Sequence, residues 1–311
     1  MDKLTLLAPA KLNLLLDILG KRSDGYHEVS MVMQSIGWYD VLTFMRTNAA
    51  GVSFTVTDPE GRSLTEEESG IPLDGRNLVL RAVELLSLRH GPFDGLAVTL
   101  EKHLPSQAGL GGGSSDAAAA LIGLNRLFDL GLSKEELSAF ALRLGADVPF
   151  FLTGGTCLAE GIGEKLTKLP PLSLEHILIV KPKASLSTKL VYEYCDSVKE
   201  MNHPDLPGFL RALFEKEALP DTFLSTICET MGNVMEEAAF FLCPEVREIK
   251  KTLRALGAEA ALMTGSGSAV FGIFRDGETA RKAYEFYEEK LPEAVLKITG
   301  TSEFGVEELP V

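Results

Sequence analysis

The chain has 311 residues, 45% of them hydrophobic and 24% charged, with 4 cysteines and a formal net charge of −14. This is the composition of an ordinary globular protein, long enough for one large or two modest domains and for a sizeable core. No basic stripe with interleaved aromatics offsets the acidic total, which argues against nucleic acid as a partner; a small anion stays open, because backbone N–H groups and one or two local cations suffice to hold it.

In chain order, the opening MDKLTLLAPAKLNLLLDILG carries Lys11 and Asn13 within an apolar stretch. No run reaches the roughly 18 apolar residues of a membrane span, so no membrane partner is expected. Cys157, Cys195, Cys228 and Cys243 are scattered without a C-x-x-C pair, which suits reduced thiols in a cytoplasmic protein better than a disulfide framework or a zinc site. KLNLLLDI alternates with the period of a strand. Its set Leu12, Leu14, Leu16 and Ile18 is expected to face a core, and Lys11 and Asn13 share the other face.

An Asp24-Gly25 turn signal opens DGYHEVSMVMQSIGWYDVLTFM, read as strand. GVSFTVTD and GLAVTLEK also read as strands, and GRNLVLRAVELLSLRHG between them has helical spacing. SSDAAAALIGLNRLF predicts a helix with Ser114, Ser115 and Asp116 as N-cap types. Ser133 and Glu136 form a capping box opening the helix SKEELSAFALRLGA, which Gly145 stops. DVPFFLTGG then reads as a short buried strand.

From Glu175 onward a second set follows: the strand HILIVKP, helical stretches including DTFLSTICETMGNVMEEAAFFL, and a helix from Pro244. After these, AEAALMTGSGSAVFGIF predicts two strands around a Gly-Ser loop, GETARKAYEFYEEKL a helix, and AVLKIT a last strand. The pattern is α+β, expected as two domains over 1–165 and 166–311. KEMNHPDLPG and TEEESGIPLDG read as surface excursions.

One junction stands out: LPSQAGLGGGSSDAAAAL joins glycines directly to a strong helix former after a strand. Strand, glycine loop and helix N-terminus in that order offer unpaired N–H groups and the positive end of a helix dipole to an anion. The loop lacks the lysine of G-x-x-x-x-G-K-[ST] and does not fit G-x-G-x-x-G, so neither the Walker loop nor the dinucleotide fingerprint applies; G-x-S-x-G is absent as well. Read alone, the other candidates have plain structural explanations. Lys11 and Asn13 could sit on an exposed strand face, Asp147 could be a turn residue, Tyr26-His27 could pack beside a hairpin, and TGSGSAVFG could be a tight loop. His90, His103, His176 and His203 show no metal-ligand spacing.

Four segments in order, PAKLNLLLDILGKRSDGYHEV, PSQAGLGGGSSDAAAAL, LGADVPFFLTGG and MTGSGSAVFGIF, resemble the GHMP kinases, the superfamily of galactokinase, homoserine kinase and mevalonate kinase. The resemblance covers nearly the whole chain. It implies a two-domain α+β fold, N-terminally like ribosomal protein S5 domain 2 and C-terminally ferredoxin-like. The implied activity is ATP-dependent phosphorylation, with Mg²⁺, of the 2-hydroxyl of a cytidine-diphosphate-linked methylerythritol in the non-mevalonate route to isoprenoid precursors.

Carried over residue by residue, the resemblance makes Lys11 and Asp147 the catalytic pair. It assigns Pro105, Ser106, Gln107, Ala108, Gly109, Leu110, Gly111, Gly112, Gly113, Ser114 and Ser115 to the ATP phosphates, with Asn77 and Lys102 beside the adenosine end. Asn13, Tyr26, His27 and Tyr192 fall to the cytidylated substrate, and Thr264, Gly265, Ser266 and Gly267 to the loop that closes the site. No residue is assigned to Mg²⁺, and a monomer or a homodimer is expected. Another GHMP kinase, acting on homoserine or mevalonate, and a non-catalytic ligand-binding relative are the alternatives. Tyr26, His27 and Tyr192 separate the first of these, since a small acid needs no aromatic pocket.

Overall fold

A computed structural model describes residues 2–198, 200–216 and 222–309. The chain runs β1 (Lys3–Lys21), β2 (His27–Arg46), β3 (Val52–Thr57), α1 (Glu66–Ser69), α2 (Leu78–His90), β4 (Leu96–Glu101), α3 (Gly112–Leu127), α4 (Lys134–Leu144), α5 (Val148–Thr153), β5 (Thr156–Gly161) and β6 (Lys165–Lys168). It continues with β7 (Ile177–Lys181), α6 (Thr188–Ser197), α7 (Leu206–Phe214), α8 (Phe223–Thr230), β8 (Gly232–Asn233), α9 (Glu236–Leu242), α10 (Pro244–Ala255), β9 (Ala260–Met263), β10 (Val270–Ile273), α11 (Gly277–Lys290), β11 (Val295–Thr299) and β12 (Glu307–Glu308). Two sheets result. The first has the path β12-β1-β2-β4-β3, with β5 on β2, β6 on β5 and β8 on β1; the second is β11-β7-β10-β9. In the second, the β-α-β-β-α-β succession and strand order give the expected ferredoxin-like layer, with α10 and α11 packed on it.

Strands β1 and β2 are antiparallel along almost their whole length and form the spine of the molecule. The reading of β1 as one uninterrupted alternation is wrong in detail. A register shift between Asn13 and Leu15 inserts an extra residue, and because side chains alternate with period 2, every later side chain changes face. Leu12, Leu14 and Leu15 therefore join one core cluster, with Ile177, Ile179 and Phe271 of the second sheet. Leu16 and Ile18 join the other, with Val29 and Met31. The same bulge leaves Leu16 on the side of Lys11 and Asn13. Both faces of β1 are covered, so Lys11 and Asn13 are not on an exposed strand face: they are 4% and 1% exposed.

Two further expectations are corrected. DVPFFLTGG is helix α5, not a strand: a short apolar run does not distinguish the two by period, and Pro149 in the first turn presets a helical φ where its missing N–H costs nothing. The stretch DTFLSTICETMGNVMEEAAFFL breaks at Gly232–Asn233, which pairs in parallel with Leu15–Leu16 of β1. TEEESGIPLDG lies at the surface as expected and contains α1, which has no buried residue and is opened by a Thr65–Glu68 capping box. Within the excursion at 199–221, Lys199 and residues 217–221 lie outside the described residues, and Leu206–Phe214 forms α7, capped by Asp205. Chain from beyond residue 166 completes the first sheet through β8 and β12. Among the described residues no helix is long and apolar enough to cross a membrane, and all four cysteines are free thiols.

Helix α3 lies against the spine and carries Gly123 in its interior, where a Cβ would come 2.6 Å from the Phe44 ring. Glycine costs about 1 kcal/mol of helix propensity relative to alanine, and the close helix–strand approach accounts for its presence. Gly123→Ala is accordingly expected to destabilise by about 1–3 kcal/mol through overpacking, despite the gain in propensity. Urea denaturation checks this, and combining it with Phe44→Leu should recover part of the loss.

Candidate active site

The glycine loop is built around its own backbone. Helix α3 starts at Gly112, with Gly111 as N-cap in the left-handed region (φ 76°) and no side-chain cap. The start therefore falls earlier than the expected serine cap. The N–H groups of Gly112, Gly113 and Ser114 open the helix with no intrahelical acceptor, and Ser115 N–H makes the first helical bond, to Gly111 O at 2.9 Å. Ser115 and Asp116 turn into the interior, where Ser115 Oγ and Asp116 Oδ1 have no hydrogen-bond partner. Ser114 is half-buried, so of the two serines it is the one whose hydroxyl is accessible at the loop.

Two contacts pin this loop to the rest of the molecule. Lys11 N–H donates to Leu110 O (2.9 Å), and Ala269 N–H donates to Ala108 O (3.2 Å). At Gly109, with φ +76°, a Cβ would fall 2.1 Å from Thr264 O. Only glycine lets the two glycine loops pass so closely.

Where the loops meet, β1 presents Lys11. Its Nζ donates to Asn13 Oδ1 at 2.5 Å and lies 4.0 Å from Asp147 Oδ2. Burial pushes the Lys11 ammonium pKa below the ordinary lysine value, and the Asp147 carboxylate pushes it back up. Asn13 Oδ1 also accepts from Gly265 N–H (2.9 Å), while Asn13 N–H donates to Thr264 Oγ1 (3.1 Å). The Thr264 hydroxyl in turn donates to Gly109 O (3.2 Å). Asp147 occupies the N-cap position of α5 without accepting a capping bond, which leaves its carboxylate to the cavity. Beneath the second loop, Asn233 Nδ2 donates to Met263 O and Gly265 O, both at 2.8 Å.

Lys11, Asn13 and Asp147, with parts of both glycine loops, line one cavity of about 910 Å³. Gln107, Gly109 and Gly111 form one wall, Lys11, Asn13 and Asp147 the centre, Gly265, Ser266 and Gly267 a second wall, and Tyr26, His27 and Tyr192 the far end. His27 stacks on Tyr192 with ring centroids 4.6 Å apart and an interplanar angle of 24°. Tyr26 is 60% exposed and free to cover a ligand. Burial, and then the Asp147 charge, push the Tyr192 phenol up to about 12, so it stays a neutral ring at physiological pH.

Other expected site residues lie outside this lining. Thr264 is fully buried under its loop. Ala108 and Leu110 are buried as well, and Pro105 and Ser106 lie at the outer end of the loop, where Ser106 Oγ donates to Ser69 O (3.3 Å). Asn77 caps α2: its Oδ1 accepts from Val79 N–H and its Nδ2 donates to Pro72 O, both at 2.8 Å. Lys102 is ion-paired with Asp40 and lies 3.8 Å from Asp116 Oδ2. Burial opposes its charge, but the two carboxylates prevail and raise its pKa. Asp116, pushed up by burial and then by Asp40, has its carboxyl held well above the usual carboxylate range. Asp40 Oδ1 further accepts from the N–H groups of His103 (2.7 Å) and Leu104 (2.8 Å), fixing the strand end from which the loop departs.

The sequence reading takes Asp116 only as an N-cap type and passes over Asp40, Thr188 and Asp196. For the last two a signal exists: Thr188, Tyr192 and Asp196 recur every four residues on α6, one helix face, and all three line the cavity. Thr188 Oγ1 lies 2.7 Å from Ser266 Oγ, which joins α6 to the second glycine loop.

Comparison with known proteins agrees with this architecture. The GHMP kinases N terminal domain family matches residues 77–155, and the GHMP kinases C terminal family matches residues 210–293. The chain is 42% identical over 291 residues to a 4-diphosphocytidyl-2-C-methyl-D-erythritol kinase of Lachnospira eligens, covering 93% of this chain and 95% of that one. It is 43% identical over 299 residues to the kinase of the same name from Moorella thermoacetica, covering 96% and 100%. A crystal structure of a 4-(cytidine 5'-diphospho)-2C-methyl-D-erythritol kinase superposes with a TM-score of 0.75 at 34% identity, over 96% of this chain and 99% of that one. With similarity of that degree running almost end to end, the chain belongs to the 4-diphosphocytidyl-2-C-methyl-D-erythritol kinase family of the GHMP kinases.

Proposed function

We propose that this protein transfers the γ-phosphoryl group of ATP to the 2-hydroxyl of 4-diphosphocytidyl-2-C-methyl-D-erythritol, in the cytoplasm, on the non-mevalonate route to isoprenoid precursors. One observation carries the reading: a single cavity holds a lysine–aspartate pair 4.0 Å apart between a glycine loop and an aromatic end formed by Tyr26, His27 and Tyr192. The open N–H groups at the start of α3 suit the phosphates, and the aromatic end suits a nucleobase. The centre suits the acceptor hydroxyl.

Phosphoryl transfer needs positioning and charge stabilisation more than covalent chemistry. Lys11 favours negative charge developing on the acceptor oxygen. Asp147 orients the hydroxyl and takes its proton as the bond to phosphorus forms. Asn13 holds the Lys11 ammonium in place through the same oxygen that holds the second glycine loop, so acceptor and loop share one anchor. Thr264 contributes from beneath the loop by positioning Asn13 and Gly109.

Among the described residues no group of three or more His, Cys, Asp or Glu side chains is placed to hold a metal. That fits a Mg²⁺ carried mainly by nucleotide phosphates and water, with the Ser114 hydroxyl and the Asp147 carboxylate as the protein oxygens beside it. When bound, the ion would neutralise phosphate charge as the γ-group leaves.

A coupled assay offering the cytidylated methylerythritol, homoserine and mevalonate separately is expected to show turnover of the first alone; turnover of homoserine without the cytidine compound would overturn the substrate assignment. Asp147→Asn is expected to lower kcat at least ~100-fold, in the range of lost general-base catalysis, while ATP binding by calorimetry persists. Turnover near the wild-type rate would remove Asp147 from the mechanism. A third expectation concerns pH. A lysine is charged below its pKa, and burial lowers that of Lys11 from 10.5. The alkaline fall in kcat/KM should therefore begin at lower pH than for an ordinary lysine, with circular dichroism confirming that the fold persists; a flat profile up to pH 10.5 would contradict it.

A further inference from the structure

Helix α6 brings a carboxylate to the rim of the aromatic end, and the proposed function leaves it without a role. Asp196 Oδ1 lies 2.6 Å from His27 Nε2, and its other oxygen accepts from Lys21 Nζ at 2.5 Å. Lys21 and His27 are the last paired residue of β1 and the first of β2, directly opposite each other across the ladder. One side chain of the second unit thus joins both strand ends of the spine. The hydrogen bonds from Lys21 and then His27 hold the Asp196 carboxyl below the usual carboxylate range, so it is an acceptor only.

That chemistry settles the imidazole. A carboxylate oxygen can meet Nε2 at hydrogen-bond distance only if Nε2 carries the proton, and in the neutral ring Nδ1 is then the lone-pair acceptor. Among the described residues Nδ1 makes no hydrogen bond, and His27 lines the cavity and stacks on Tyr192. Cytosine presents an exocyclic amino donor where uracil presents a carbonyl acceptor. An imidazole locked with Nδ1 as acceptor complements the first and leaves two lone pairs facing each other with the second.

We propose that Asp196 is a positioning residue for base recognition: by accepting a hydrogen bond from Nε2–H of His27 it fixes the ring tautomer and orientation that select cytidine over uridine in the acceptor substrate. The inference rests on the proposed function, which identifies the acceptor as a cytidine diphosphate derivative. Lys21 keeps Asp196 ionised and aimed. Tyr192, one helical turn earlier, keeps the imidazole flat against α6.

Cytidine-diphosphate- and uridine-diphosphate-linked methylerythritol are to be compared as acceptors. Wild-type enzyme is expected to prefer the cytidine compound in kcat/KM. In Asp196→Ala that preference should fall about tenfold or more, the scale of one specific hydrogen bond, through a raised KM for the cytidine compound and with KM for ATP unchanged. Wild-type discrimination retained in Asp196→Ala would overturn the proposal. A second readout needs no turnover. The chain has 5 histidines, and ¹⁵N spectra with His27 assigned by loss of its signals in His27→Gln should show Nε2 protonated in the neutral ring of the wild type. In Asp196→Ala the signals should move toward a tautomer mixture. A wild-type His27 protonated at Nδ1 would equally overturn it. If wild-type enzyme turned over neither nucleotide compound, the proposed function would fail, and the spectra would still decide the state of His27.

Discussion

An ammonium group buried on the central strand is the constraint on which the site depends. Removing a charge from water costs several kcal/mol unless partners compensate. Lys11 is compensated from two directions, by Asn13 Oδ1 at 2.5 Å and by the Asp147 carboxylate at 4.0 Å. Asp147 is loosely placed by comparison, ahead of a short helix whose N-terminus it does not cap. In the proposed reaction this arrangement would keep a cation close to the reacting centre while leaving the carboxylate able to turn toward a hydroxyl. A tighter pair would satisfy both groups and leave neither for chemistry.

Around that charge the molecule interlocks rather than simply closes. Thr264 Oγ accepts from β1 and donates to the first glycine loop, Asn13 Oδ1 accepts from the second, and glycine at 109 allows the backbones to touch. A hydroxyl accepting one bond and donating another is fully used, and removing it would leave buried backbone groups unpaired. The first glycine loop, Lys11 and the second glycine loop thus form one mechanical unit, although they come from opposite ends of the chain. Beneath it Asp40, Lys102 and Asp116 form a buried ionic cluster at the strand end that launches the first loop. Within it Lys102 lies between the carboxyl groups of Asp40 and Asp116.

Overall charge does not predict local charge. The chain carries −14, yet the side chains lining the cavity are balanced, Lys11, Lys21 and Lys189 against Asp147, Glu193 and Asp196, beside the open backbone of two glycine loops. Attraction for an anionic substrate over a few ångströms is set by these groups, and the distant acidic surface is screened within about one Debye length, some 8–10 Å. The acidic total bears instead on solubility and on disfavouring nucleic acid.

What the sequence determined by itself is what depends on near neighbours in the chain. Helical spacing and a Ser133–Glu136 capping box specify α2 and α4, and the glycine–alanine junction specifies a helix start with open N–H groups, because those are contacts within a few residues. Long-range packing decided the rest. No local pattern announces the bulge that splits the leucines of β1 between two cores, and period alone does not separate helix from strand in the short apolar run of α5. Nor does it show that Lys102 and Thr264 lie outside the cavity lining. The convergence of Lys11, Asp147, Tyr192 and Asp196 belongs wholly to tertiary structure: each sits on a different stretch of chain, except for the pair on α6. Only the fold sets the burial and separations that turn common residue types into a site.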